Sequence, residues 1–225
     1  MEIFVGTSGW FYSWNKERSL DWFVKNSGLN AIELNASFYR FPFPSQIKAW
    51  AKKSKSLRWA IKVNRLVTHQ YKFNNEALKT WKKFFQLFEP LDKFIDFYLF
   101  QLPPSFVDLK KALRFAEKIK LKERFALEPR NEKIINLETK EIEKINKKIT
   151  LVSVDSPDFR KIFPGKIIYL RMHGRTSWYR HNYNEKELKE ICKKIKELSP
   201  EKVYVFFNNN HDMLNNARAM LRILR

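Results

Sequence analysis

The sequence predicts an α/β fold, a compact TIM-type (β/α) barrel, mostly parallel and eight-stranded, with residues 1–225 forming a single domain. Three observations predict it. Eight short apolar runs alternate with amphipathic helical segments along the whole chain. The runs are β-branched or aromatic and mostly apolar throughout, as strands of a parallel sheet buried on both faces are. Each run also ends in polar residues on its C-terminal side, the end at which barrel folds carry their function.

The elements follow in order. A first strand at Ile3–Gly6 precedes a helix over about Arg18–Lys25. Ala31–Asn35 leads into a helix at Pro44–Lys53, and Trp59–Asn64 into one at Glu76–Glu89. Phe97–Leu102 is followed by Asp108–Lys120, opened by Ser105 and Asp108 as capping residues. Phe125–Glu128 precedes a helix over about Leu137–Lys147. Thr150–Asp155 and Ile167–His173 are the sixth and seventh strands, and Asn184 caps the helix Glu185–Leu198. Val203–Asn208 and a last helix at about Asp212–Leu224 close the chain. The competing architecture is an open doubly wound sheet, which carries a glycine-rich phosphate turn after its first strand. Here that position reads Gly6-Thr7-Ser8-Gly9-Trp10, which is not a GxGxxG and has no P-loop lysine.

Composition bounds the class. The chain is 44% hydrophobic, and its 20 Phe, 8 Tyr and 7 Trp supply a large core, which argues against disorder. No apolar run reaches the roughly 18 residues of a membrane span. The N-terminus runs directly into a strand without the basic start of a signal peptide. The lone Cys192 gives no disulfide framework and reads as an ordinary helix residue. These features point to a cytoplasmic protein without a membrane partner. The formal charge of +20 favours an anionic substrate or nucleic acid. The alternative is that the dispersed lysines form solvated helix faces.

Read in order, the strand ends give Thr7 and Ser8, Glu33 and Asn35, Lys62 and Asn64, Gln101, Glu128 and Arg130, Asp155, Arg171 and His173, and Asn208, Asn209 and Asn210. Polar side chains in buried strands are costly unless paired, so the series predicts a shared polar cleft. Some of its members, such as Gln101, Asn35 and Asn64, can instead form a structural hydrogen-bond layer. Glu33, Lys62, Glu128, Asp155 and His173 are the candidate catalytic groups. Arg130 and Arg171 are candidate anion holders, and Asn35, Gln101, Asn208 and Asn209 are candidate substrate contacts. Aromatic residues of the same loops (Trp10, Tyr12, Tyr39, Trp178 and Tyr183) suit stacking on a ring or packing as a lid. His69, Glu128, Asp155 and His173 are the candidate ligands of a divalent metal, zinc, manganese or magnesium. That combination resembles the layout of barrel phosphodiesterases of the endonuclease IV type in residue type and placement, without HxxH or HExxH spacing. Barrel glycosidases place their acids after the fourth and seventh strands, which here end in Gln101 and His173.

Seven stretches carry a family resemblance. They are Gly6-Thr7-Ser8-Gly9-Trp10-Phe11-Tyr12 with Trp14, Glu33-Leu34-Asn35-Ala36-Ser37-Phe38-Tyr39-Arg40, Lys62 with Thr68-His69, Phe100-Gln101-Leu102-Pro103-Pro104, Glu128-Pro129-Arg130, Arg171-Met172-His173-Gly174, and Phe207-Asn208-Asn209. In this order they resemble the motifs of the YecE-like family (domain of unknown function 72). The resemblance implies a TIM barrel with its site at these strand ends and assigns no reaction. Asn210-His211-Asp212 departs from the family's usual continuation.

Three functional readings follow. The first is a hydrolase-like barrel on a phosphate-bearing substrate, including a metal-assisted phosphodiesterase or nuclease. The second is a metal-free isomerase, lyase or hydrolase on a small phosphosugar or sugar acid, using Lys62, Glu128 and His173. The third is a non-catalytic nucleic-acid binder.

Overall fold

The computed structural model describes residues 1–54 and 56–225. Its strands are β1 (Glu2–Thr7), β2 (Ala31–Leu34), β3 (Arg58–Lys62), β4 (Ile95–Gln101), β5 (Phe125–Glu128), β6 (Thr150–Asp155), β7 (Arg160–Lys161), β8 (Ile167–Met172) and β9 (Lys202–Phe207). They are hydrogen-bonded in the order β5-β4-β3-β2-β1-β9-β8-β6-β7, and a further β5–β6 pairing makes the ring of eight continuous. The fold class is therefore the expected TIM-type (β/α) barrel. The helices are α1 (Leu20–Asn26), α2 (Pro44–Lys53), α3 (Asn75–Leu87), α4 (Leu109–Ile119), α5 (Glu132–Ile135), α6 (Thr139–Asn146), α7 (Glu185–Glu197) and α8 (Met213–Leu224). Among the described residues no helix is long and apolar enough to cross a membrane.

The chain divides into two compact units: Met1–Glu33, Ser56–Arg58 and Val152–Arg225 form the first, and Leu34–Lys55 and Trp59–Leu151 the second. In the first unit β1 pairs in parallel with β2 and β9. Gly6 is required there, because a Cβ would lie 2.1 Å from the Ala31 carbonyl oxygen. Helix α7 starts on a reciprocal cap: the Glu187 N–H donates to Asn184 Oδ1 (2.9 Å) and the Asn184 N–H to Glu187 Oε2 (3.0 Å). Leu188, Ile191, Cys192 and Ile195 form its buried stripe, spaced to share one helix face. Cys192 meets Met220 of α8 (3.2 Å), and burial pushes its thiol up to about 11, consistent with an ordinary packing role.

In the second unit α3 buries Ala77, Trp81 and Phe84. Trp81 meets Tyr98 edge-on (5.0 Å), and Phe100 stacks on Phe125 (4.0 Å). Each such ring contributes roughly 1.5–3 kcal/mol on burial. Helix α4 is capped by Asp108, whose Oδ1 accepts from the Lys111 N–H (2.9 Å).

The structure corrects several boundaries. The strand expected through Asn64 stops at Lys62, because Asn64 Oδ1 accepts the Leu66 N–H (3.1 Å) and opens a turn. The helix expected over about Leu137–Lys147 is found as α6, Thr139–Asn146, and the short α5 before it, Glu132–Ile135, was not expected. The short β7 was not expected, since two charged residues carry no apolar pattern. The connection from β6 to β8, residues 156–166, contains β7 and no helix.

Candidate functional site

In the first unit, Glu33 on β2 is fully buried and accepts four hydrogen bonds. The donors are Ser8 Oγ (2.7 Å), Tyr169 OH (2.6 Å), Arg171 Nε (3.0 Å) and Arg171 Nη2 (2.7 Å). Tyr169 and Arg171 reach it together because residues two apart on β8 share a face. Glu33 and Arg171 are both 0% exposed. This bidentate pair is an internal framework joining the ends of β1, β2 and β8. Glu33, expected as a base, and Arg171, expected as an anion holder, are thus brought together as partners of one another.

A second network fastens the loop between β8 and α7. Asp155 accepts from Tyr183 OH (2.7 Å) and from Arg175 Nε and Nη2 (3.0 Å each). Tyr183 OH accepts the Gly174 N–H (2.9 Å). Burial first, and then Asp155, push the Tyr183 phenol far above its usual range, so it stays protonated. Arg175 also reaches Glu190 (3.2 Å), and His181 pairs with Glu187 (3.1 Å). Asn209, 1% exposed, donates to the His181 carbonyl (2.7 Å) and to Asn216 Oδ1 (2.7 Å). Gly174 sits at φ +107, and a Cβ there would meet Ser177 O at 2.7 Å. Asp155, Tyr183 and Asn209, three of the expected site residues, are thus brought together around this loop. His173 is buried below the loop, with Trp178 at 5.2 Å, Tyr179 at 5.7 Å and Asn208 Nδ2 3.3 Å from its Nδ1. Tyr12 stacks on Trp14 (5.7 Å), and the Trp10 carbonyl accepts from Asn15 (2.9 Å), so the first loop is packed as well.

In the second unit a different group forms. Asn35 opens a short 3-10 turn (Ala36–Phe38) that seats Phe38. The Lys62 ammonium lies over the Phe38 ring at 4.1 Å, and the His69 ring meets Phe38 edge-on at 5.1 Å. Tyr39 also meets Phe38 edge-on (5.1 Å) and is 71% exposed. Ser37 Oγ donates to the Lys62 carbonyl (2.6 Å), and Asn64 Nδ2 donates to the Ser37 carbonyl (3.1 Å), which fixes both segments.

His69 lies on a π-helical turn, Leu66–Gln70, closed by the Tyr71 N–H on the Leu66 carbonyl (2.8 Å). Such turns are rare and concentrate at functional sites. Lys72 (φ 44) and Phe73 (φ 60) follow in the left-handed region, at roughly 1–3 kcal/mol each. Phe73 holds them by burial against Phe106 (5.3 Å) and Phe115 (5.1 Å). Burial first, and then Lys62, Arg65 and Arg130, keep the His69 imidazole below its usual pKa and therefore neutral at pH 7. Glu128, fully buried, pairs with Arg130 (2.6 Å) and accepts from Gln101 Nε2 (2.9 Å).

Among the described residues no three His, Cys, Asp or Glu side chains form a group able to hold a metal ion. The expected ligands His69, Glu128, Asp155 and His173 do not make such a set. Asp155 is bound by Arg175 and Tyr183, Glu128 by Arg130 and Gln101, and His69 shares a hydrogen bond with Thr68 (2.8 Å). The donors present do not fit the expected zinc, manganese or magnesium. Phe38, Arg65, Thr68 and Arg175 were not among the sequence candidates. Phe38 lies in one of the family stretches without an assigned role, and no local signal marks a π-helical turn; Arg175 was legible only as an arginine among loop aromatics.

A family model described as "Protein of unknown function DUF72" matches residues 4–225, so the chain belongs to that family. A DUF72 family protein from Enterococcus faecalis V583 superposes with a TM-score of 0.82 at 20% identity, covering 99% of this chain and 95% of that one. A DUF72 family protein from Thermotoga maritima MSB8 gives 0.78 at 24% identity, covering 100% and 99%. No curated protein matches the chain.

Proposed function

We propose that this DUF72 chain is an acid–base enzyme acting on a small substrate that carries a phosphate or carboxylate group. The observation that carries the reading is the seating of Lys62 and His69 on one aromatic ring, Phe38. A cation held against an aromatic face in a nearly buried position supports capture of an anion in a site of low dielectric. Arg130, held by Glu128, and Arg65 add to the positive field that His69 experiences. Lys62 and Arg130 bind the anionic group. Neutral His69 is the general base: with Nδ1–H donating to Thr68, Nε2 carries the lone pair that takes the proton. Glu128 positions Arg130, and Gln101 positions Glu128. Tyr39, exposed beside Phe38, offers a face for the body of the substrate.

The net charge weighs less than this group. On α7, Lys189, Lys193 and Lys194 face Glu185, Glu197 and Glu190 at i,i+4 spacing, the pattern of a solvated helix face. The test is a screen of phosphosugars and sugar acids for isomerisation, elimination or hydrolysis, with His69→Ala and Lys62→Met run beside the wild type. Turnover lost in both variants, with the fold retained, is the expected result. Turnover that survives in both overturns the assignment.

A further inference from the structure

Each strand of a (β/α) barrel is ordinarily followed by a helix that covers the sheet. Between β6 and β8 this chain has none: residues 156–166 fold back as β7, antiparallel to β6, and return. Crossovers between parallel strands usually use a dozen or more residues and a helix, and this connection is shorter. Beside it, bounded by β6, β8 and α7, lies a cavity of about 260 Å³. Its apolar lining is Val154, Ile162, Leu170, Ile191 and Leu198, all aliphatic. Leu198 is one of the few large apolar side chains left exposed, at 37%.

The charged residues of the wall are unequal. Arg175 is held by Asp155 (3.0 Å) and Lys194 by Glu190 (2.8 Å), while Glu197 lies 3.9 Å from Lys193. Arg160, exposed on β7, is paired with no carboxylate among the described residues. An aliphatic cavity with one uncommitted guanidinium at its edge is complementary to an acid with a hydrocarbon chain.

We propose that this cavity binds a small aliphatic carboxylate, its chain against Ile162 and Leu198, which are backed by the buried Val154, Leu170 and Ile191, and its acid group on Arg160. At about 30 Å³ per water molecule the space corresponds to roughly nine waters, which a chain of about eight carbons displaces. The cavity lies within the first unit, and the proposal does not rest on the acid–base reading above.

The test is calorimetric titration of the full chain with octanoate below its micelle concentration, with octylamine as the charge-reversed control. Saturable one-to-one binding of octanoate and none of octylamine is expected. Arg160→Ala weakens it about tenfold or more, as loss of a charge-assisted hydrogen bond implies. Ile162→Trp fills the cavity and abolishes it. Leu198→Trp, at an exposed helix end, serves the same purpose if Ile162→Trp does not fold by circular dichroism. Absence of saturable binding, equal binding of octylamine, or octanoate binding unchanged in the folded filling variant overturns the proposal.

Discussion

The Lys62 ammonium stands 4.1 Å from the centre of the Phe38 ring, and His69 meets the same ring edge-on at 5.1 Å. Phe38 therefore does more than fill space. It holds a cation in a position only 8% exposed and presents it beside a neutral imidazole.

Lys62→Met keeps the length and packing of the side chain and removes its charge. Binding of inorganic phosphate, measured by calorimetry, weakens by about 1.5–3 kcal/mol, roughly 10–150-fold. Unchanged affinity would show that Lys62 is a packing residue.

The pH dependence of His69 has a definite sign. Its folded pKa is depressed below the ordinary 6.5, chiefly by burial and then by Lys62, Arg65 and Arg130. The unfolded chain thus takes up this proton at higher pH than the folded one. The contribution of His69 to stability is complete above about 6.5 and is lost as pH falls through the folded value. Chemical denaturation of wild type and His69→Ala across that window measures it: the difference between them changes with pH only below 6.5. A difference that instead changed above that point would contradict the sign.

Breaking the Glu33–Arg171 pair leaves a buried charge alone. Arg171→Met or Glu33→Gln destabilises by about 3–5 kcal/mol. For a chain of this size that lowers Tm by roughly 6–20 °C. A loss of activity without a loss of stability would instead mark Glu33 as a group of the reaction.

The loop between β8 and α7 depends on Asp155. Asp155→Asn or Tyr183→Phe weakens its fastening by about 1–3 kcal/mol. Faster amide exchange over residues 174–183, with β8 and β9 unaffected, is the expected readout. Exchange rates equal to wild type would show that the loop is held by its aromatic contacts alone.

Much of this was legible in the sequence. The eight strands emerge because buried parallel strands must be apolar throughout, and helices α4 and α7 start at the residues that cap them, Asp108 and Asn184. The polar strand ends were legible as residues demanding partners. Which partner each would find was not. Glu33, Asp155 and Glu128 are of one chemistry, and only the fold shows that Arg171, Arg175 and Arg130 respectively pair with them. Phe38 and the π-helical turn at Leu66–Gln70 were hidden for a related reason. The sequence does not show which groups a loop aromatic such as Phe38 will meet, and a single extra residue in one turn leaves no periodic trace. The missing helix between β6 and β8 is a matter of length and register, which apolar patterning reports poorly.

The most direct test of the central claim follows the His69 ring protons by NMR through a pH titration, without and with inorganic phosphate, at ionic strength matched by chloride. An anion held by Lys62 and Arg130 offsets the cations that depress His69. Phosphate is expected to raise the His69 pKa in a saturable manner, and Lys62→Met to abolish the rise. A His69 titration that phosphate leaves where chloride leaves it would contradict the anion site and the function built on it.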